Sequence, residues 1–135
     1  MAATLARRLA LGILQAVDQE GLAATQALDR GLPPHLKGPD RALVTQLVYG
    51  VIRWRGQLDW MIDWVTAGGR YPPDPMVRQI LRLAAYELQH LDSIPASASC
   101  HQAVELARQY APRAIRFVNA VCRRLARWET EGQWP

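Results

Sequence analysis

Residues 111–128 read APRAIRFVNAVCRRLARW. Turned at about 100° per residue, as an α-helix turns, the stretch separates into two faces. Ala114, Phe117, Val118, Val121, Leu125 and Trp128 share one arc, while Arg116, Arg123 and Arg127 form a narrow stripe opposite. Arg113 and Arg124 lie beside that stripe and Asn119 at its edge. One face suits a core. The other suits either plain solvation or a polyanion. No Asp or Glu interrupts the stripe before Glu129, so no i,i+4 ion pair neutralises it. The planar fork of arginine also gives phosphate two hydrogen bonds at once.

Outward from this helix, apolar spacing remains helical nearly everywhere, and no segment alternates with period two. A first helix is expected over residues 4–19, with Leu5, Leu9, Ile13, Ala16 and Val17 inward and Arg7 and Arg8 outward; Gly21 ends it. A short second helix is expected over 22–29. The loop 31–39 follows, with three prolines and two glycines. Asp40 reads as the N-cap of a third helix reaching Trp54. It turns Val44, Leu47, Val48, Val51 and Trp54 inward, and Arg41, Thr45, Gln46, Tyr49 and Arg53 outward.

Gly50, interior to that helix, costs about 1 kcal/mol relative to Ala and is expected where another helix comes close. Gly56 or Gln57 opens a fourth helix to Val65, with Leu58, Met61, Ile62 and Val65 apolar. Trp54, Trp60 and Trp64 crowd this corner. Core and inter-helix packing is the expectation for them, with base stacking as the alternative. A second break spans 67–75, after which Asp74 and Pro75 start a fifth helix to about Leu91. It buries Met76, Ile80, Leu83, Ala84 and Leu88. Glu87 projects from that apolar face and must find a partner, so it reads as a structural clamp. A sixth helix spans 96–110, and Pro112 starts the seventh.

The expected fold is therefore all-α, a bundle of about seven short helices. One domain covers 1–128, and 129–135 is a flexible tail or the start of a linker. The chain has 135 residues, half of them apolar, a net charge of +4 and a pI near 9.6. Lys37 is its only lysine, so the basicity is arginine's, which makes nucleic acid a partner to consider. Cys100 and Cys122 form no CxxC pair and read as free packing thiols of a cytoplasmic protein. The opening apolar stretch is broken by Gln15 and runs into Asp18 and Glu20, unlike a signal peptide. No apolar run reaches the ~18 residues of a membrane helix. His35, His90 and His101 are scattered, and no phosphate-cradling glycine loop, His-Glu-x-x-His or nucleophile elbow occurs. No cofactor, metal or catalytic residue is expected.

Four blocks in order, DRALVTQLVYGVIR (40–53), ILRLAAYELQHL (80–91), IPASASCHQAVELA (94–107) and FVNAVCRRLAR (117–127), resemble the NusB/RsmB domain. The resemblance runs from about Ala6 to Arg127. It is nearer in its first and last blocks to the branch that forms the N-terminal portion of the ribosomal RNA 5-methylcytosine methyltransferase. It implies a fold of two packed helical groups and binding to RNA, either ribosomal RNA or a boxA-like leader. For the free antitermination branch it also implies a ribosomal protein of the NusE type as partner. The arginine-rich first helix of the family carries over to Arg7 and Arg8. Asn119 matches the Asn of its FVN motif, Glu87 the Glu of its YEL motif, and Gly50 the glycine of its third helix. Where the family usually has Asn-Glu-Ala-Val, this sequence reads Cys100-His101-Gln102-Ala103-Val104.

The expectation is a non-catalytic RNA-binding domain, with Arg7, Arg8, Arg113, Arg116, Asn119, Arg123, Arg124 and Arg127 on one basic surface of the first and last helices. Two alternatives stand beside it. One is the excised RNA-targeting domain of an S-adenosylmethionine-dependent methyltransferase, whose catalytic region would need several hundred further residues. The other is a helical protein-interaction scaffold in antitermination.

Overall fold

Helix α5, Pro75–His90, is buried on nearly every side from Val77 to Leu88. In the computed structural model, which describes residues 3–66 and 74–132, this helix is the post around which the others stand. Helix α1 (Leu5–Glu20) packs with α2 (Ala24–Gly31) and α3 (Gly38–Arg53), and α7 (Ile115–Glu131) packs with α4 (Arg55–Val65) and α6 (Ala96–Tyr110). Helices α1, α3, α4, α6 and α7 all touch α5. Among the described residues there are seven α-helices, one 3-10 turn (Pro112–Ala114) and no strand.

The helix ends follow local chemistry. The Thr4 hydroxyl accepts from the Arg7 amide to open α1, and Gly21, at φ 69°, closes it in the left-handed conformation. Asp74 Oδ1 accepts from Met76 N at 2.9 Å, with Pro75 in the first turn of α5. The 96–110 helix lies where its spacing placed it. Helix α3 starts earlier than expected: Lys37 is its N-cap, and Asp40 sits in the first turn, where its charge complements the helix dipole. Helix α2 is shifted towards Gly31, and α4 begins at Arg55. Helix α7 runs on through Glu129 to Glu131, into the expected tail. Residues 133–135 of that tail, and 67–73 of the expected break, lie outside the described residues.

Most predicted core residues are buried, among them Val44, Leu47, Val48, Val51, Leu58, Met61, Ile62, Val65, Ile80, Leu83 and Leu125. Two readings need correction. In α1 the buried face is Ala6, Arg7, Ala10, Leu11, Ile13 and Leu14, whereas Leu5 is exposed. The small alanines let neighbouring helices come close, so the inward face is rotated from the one its bulkiest residues mark. In α3 and α4, Trp54, Trp60 and Trp64 are 38%, 46% and 47% exposed, not core. They stack at the surface instead: Trp54 on His90 (5.0 Å), Trp60 on Trp64 (5.8 Å), and Trp64 edge-on to Trp128 (6.1 Å). Gly50 does meet a close neighbour, the Tyr86 ring of α5, with which any Cβ at that position would collide. Across the bundle, no helix among the described residues is long and apolar enough to cross a membrane.

Candidate nucleic-acid interface

Burial of Val118, Val121, Cys122 and Leu125 sets the rotation of α7. With that face inward, Arg116, Arg123 and Arg127 must point outward, and all three are exposed, as is Arg113 in the preceding turn. None of these four makes an ion pair among the described residues. Arg124 is tied down, donating from Nη1 to the Val65 carbonyl at the end of α4 (3.1 Å). Asn119 is half-buried where α7 faces α6.

Helix α1 contributes less than expected. Arg7 is buried, not on the surface. Its Nε and Nη2 reach Glu87 Oε2 and Oε1 at 2.9 and 2.6 Å, and its Nη1 reaches Thr4 Oγ1 at 3.2 Å. Ser99 on α6 donates to the same carboxylate at 3.0 Å. Arg7 thus serves as the partner that Glu87 requires, and it leaves the RNA-facing set because its guanidinium is spent inside. The clamp joins α1, α5 and α6. Arg8 is half-buried and lines a cleft of about 300 Å3 with Leu9, Gly12, Ile13 and Arg30. Its Nε has no hydrogen-bond partner among the described residues.

The single basic surface expected from the first and last helices takes a different form. Helix α1 packs on α2, α3, α5 and α6, whereas α7 packs on α4, α5 and α6. Helix α6 borders both, while Arg8 faces the cleft between α1 and α2, away from the α7 stripe. Gln102 of α6 accepts from Thr4 N at 2.8 Å, fixing the start of α1 against it.

A second group of arginines is matched to acids. Arg82 holds Asp59 through Nε (2.7 Å) and Nη2 (2.9 Å), and Asp18 through Nη1 (3.2 Å). Arg78 reaches Asp59 and Asp63, Arg55 reaches Asp18, and Gln79 donates to Asp18 at 2.6 Å. Four-residue spacing was the available signal: Asp59 and Asp63 on α4 face Arg78 and Arg82 on α5. Arg53 lies over the Trp54 ring, 5.4 Å from its centre. Neither Arg53 nor Arg55 lies on α7.

Between α6 and α7 runs a groove lined by Ser97, Cys100, His101, Asn119, Arg123 and Ala126, among others. Both cysteines are free, and Cys100 Sγ lies 3.4 Å from the Cys122 carbonyl. The hydrogen bond from Cys122, helped by Arg123, holds the Cys100 thiol below its ordinary value. The hydrogen bond with Cys100, together with burial, pushes Cys122 well above it. Only the packing of α6 beside α7 sets His101 and Ser97 across from Asn119 and Arg123, which no local pattern in the sequence signals. No group of three or more metal-ligating side chains occurs among the described residues.

Residues 4–127 match the NusB family. Among curated relatives, a probable ribosomal RNA small subunit methyltransferase B of Synechocystis sp. is 38% identical over 132 residues, covering 95% of this chain and 29% of that protein. The transcription antitermination protein NusB of Bacillus subtilis is 36% identical over 118 residues, covering 86% of this chain and 88% of that protein. Among solved structures, NusB of T. maritima superposes with a TM-score of 0.76 at 23% identity, over 93% of this chain and 92% of that one. A protein chain in the crystal structure of a plectonemic RNA supercoil reaches 0.81 at 24% identity, over 96% of each. These two likenesses carry the fold.

Proposed function

The chain belongs to the NusB family, and from that premise we propose that it is a non-catalytic RNA-binding domain acting on ribosomal RNA or a boxA-like leader in the cytoplasm. One observation carries the reading: Arg113 in the turn before α7, and Arg116, Arg123 and Arg127 along it, stand exposed with no carboxylate partner among the described residues. An arginine row without counter-charge is suited to phosphate, since each fork offers paired donors. Asn119 extends the set towards α6 and Arg124 borders it, and Arg8 adds a separate basic group at the α1–α2 cleft. A ribosomal protein of the NusE type is the protein partner this reading implies.

A second reading has its own support. Similarity to methyltransferase B spans 95% of this chain, which fits a targeting domain of an enzyme making 5-methylcytosine in small-subunit ribosomal RNA. In that case the domain holds the RNA and the methyl transfer belongs elsewhere.

Binding to a small-subunit ribosomal RNA fragment and to a boxA-like single strand, titrated across salt, tests both. Four phosphate contacts to a single strand give a log–log slope of about −3. A slope of that size supports RNA binding, and preference between the two RNAs separates the branches. Negligible affinity even at low salt would reduce the stripe to a solvated face.

A further inference from the structure

The groove between α6 and α7 has a volume of about 420 Å3, within the ~300–1,000 Å3 of sites that hold small molecules. Ser97, Cys100, His101 and Val104 form one wall; Asn119, Arg123 and Ala126 form the other. The Ser97 hydroxyl, His101 imidazole, Asn119 amide and Arg123 guanidinium make no hydrogen bond or ion pair among the described residues. Elsewhere between the helices such groups are spent on each other, as around Glu87 and Asp18. Here an amide, an imidazole and a guanidinium share one concave space and wait for a ligand with both polar edges and negative charge.

We infer that this groove seats one unpaired nucleotide of a bound single-stranded RNA, with Asn119 reading the base edge and Arg123 holding its phosphate. The inference rests on the RNA-binding reading above. An amide presents a donor and an acceptor side by side, the pattern of a base edge, and His101 and Ser97 add hydrogen-bonding groups beside it. Val104 and Ala126 offer the base apolar surface. In an RNA duplex the Watson–Crick edges are paired, and stacked bases cannot enter a protein groove, whereas a splayed base can be inserted. The ligand class is therefore single-stranded. At 1.5 Å per residue, Arg127 lies about 6 Å and Arg116 about 10.5 Å from Arg123 along the α7 axis, in line for flanking phosphates.

Cys100 makes the groove its own reporter, because its thiol is half-buried in the wall while Cys122 is fully buried. Iodoacetamide labelling of the whole chain, read by mass spectrometry, is compared with and without a short mixed-sequence single-stranded RNA and the same sequence closed into a duplex. With single strand at ten times its Kd, Cys100 labelling slows about tenfold, since only unoccupied molecules react; duplex gives no protection. Asn119→Ala weakens single-strand binding by about tenfold and leaves the salt slope unchanged, because no charge is lost. Single strand that binds without protecting Cys100 overturns the inference while the RNA-binding reading stands. Equal protection by duplex, or unchanged affinity in Asn119→Ala, overturns it as well. No binding of either RNA to the parent chain defeats the RNA-binding reading itself. The protection measurement uses no variant, so it decides the matter even if Asn119→Ala fails to fold.

Discussion

The arginines of α1, α4 and α5 and those of α7 share a side chain and little else. On the first side every guanidinium except that of Arg8 has an acid: Arg7 meets Glu87, Arg55 and Arg82 meet Asp18, and Arg78 meets Asp59 and Asp63. Those pairs fasten helices together. On α7 and the turn before it, Arg113, Arg116, Arg123 and Arg127 have no acid among the described residues and face solvent. Net charge alone hides this division. A chain of pI about 9.6 presents its basicity mainly where its sequence omits Asp and Glu, and spends the rest as structure.

The sharpest way to break the comparison is to remove the buried clamp. Arg7→Met leaves the Glu87 carboxylate inside the bundle with only Ser99 as donor, and should cost about 3–5 kcal/mol by urea denaturation. A loss below 1 kcal/mol, as for an exposed pair, would place Arg7 among the surface arginines after all. Gly50→Ala comes next. The new methyl group meets the Tyr86 ring, and such overpacking costs about 1–3 kcal/mol, read as a lowered Tm.

Acid should act more gently, through His90. It is sandwiched between Trp54 and Tyr86, and burial lowers its pKa below 6.5 despite the nearby charges of Glu129 and Asp92. The unfolded chain therefore takes up this proton more readily than the folded one. His90's contribution is complete above 6.5 and is lost as pH falls from there towards the folded value. His90→Phe should flatten the fall in Tm over that window; an unchanged pH profile would locate the effect elsewhere. Smallest of all, Arg116→Gln, Arg123→Gln and Arg127→Gln together should change stability by no more than about 0.5 kcal/mol, because these side chains hold nothing inside the fold.

Large apolar residues at helical spacing made much of this legible. Leu58, Met61, Ile62 and Val65 on α4, and Val118, Val121 and Leu125 on α7, are buried as their spacing requires. Glu87 announced its need for a partner by its place on an apolar face. Which arginine answers is a matter of two helices 80 positions apart in the chain, and local pattern is blind to that. The same blindness put Arg7 on the surface. In helix α1, Leu5 and Leu9 outweigh Ala6 and Ala10 on a helical wheel, although close packing buries the smaller pair. The tryptophans misled in the opposite sense: bulk and aromaticity read as core, yet their rings stack on one another at the rim. The α6–α7 groove was invisible, since its two walls meet only in the folded chain.

The central claim is that position, not net charge, makes the α7 arginines the RNA-binding set. Two triple variants, each losing three positive charges, test it directly: Arg116, Arg123 and Arg127 to Gln, against Arg30, Arg53 and Arg55 to Gln. RNA affinity is measured for both across salt. The α7 variant is expected to lose about 2 from the log–log slope, at ~0.7 per phosphate contact on a single strand, while the other keeps the parent slope. Equal losses in the two variants would contradict it.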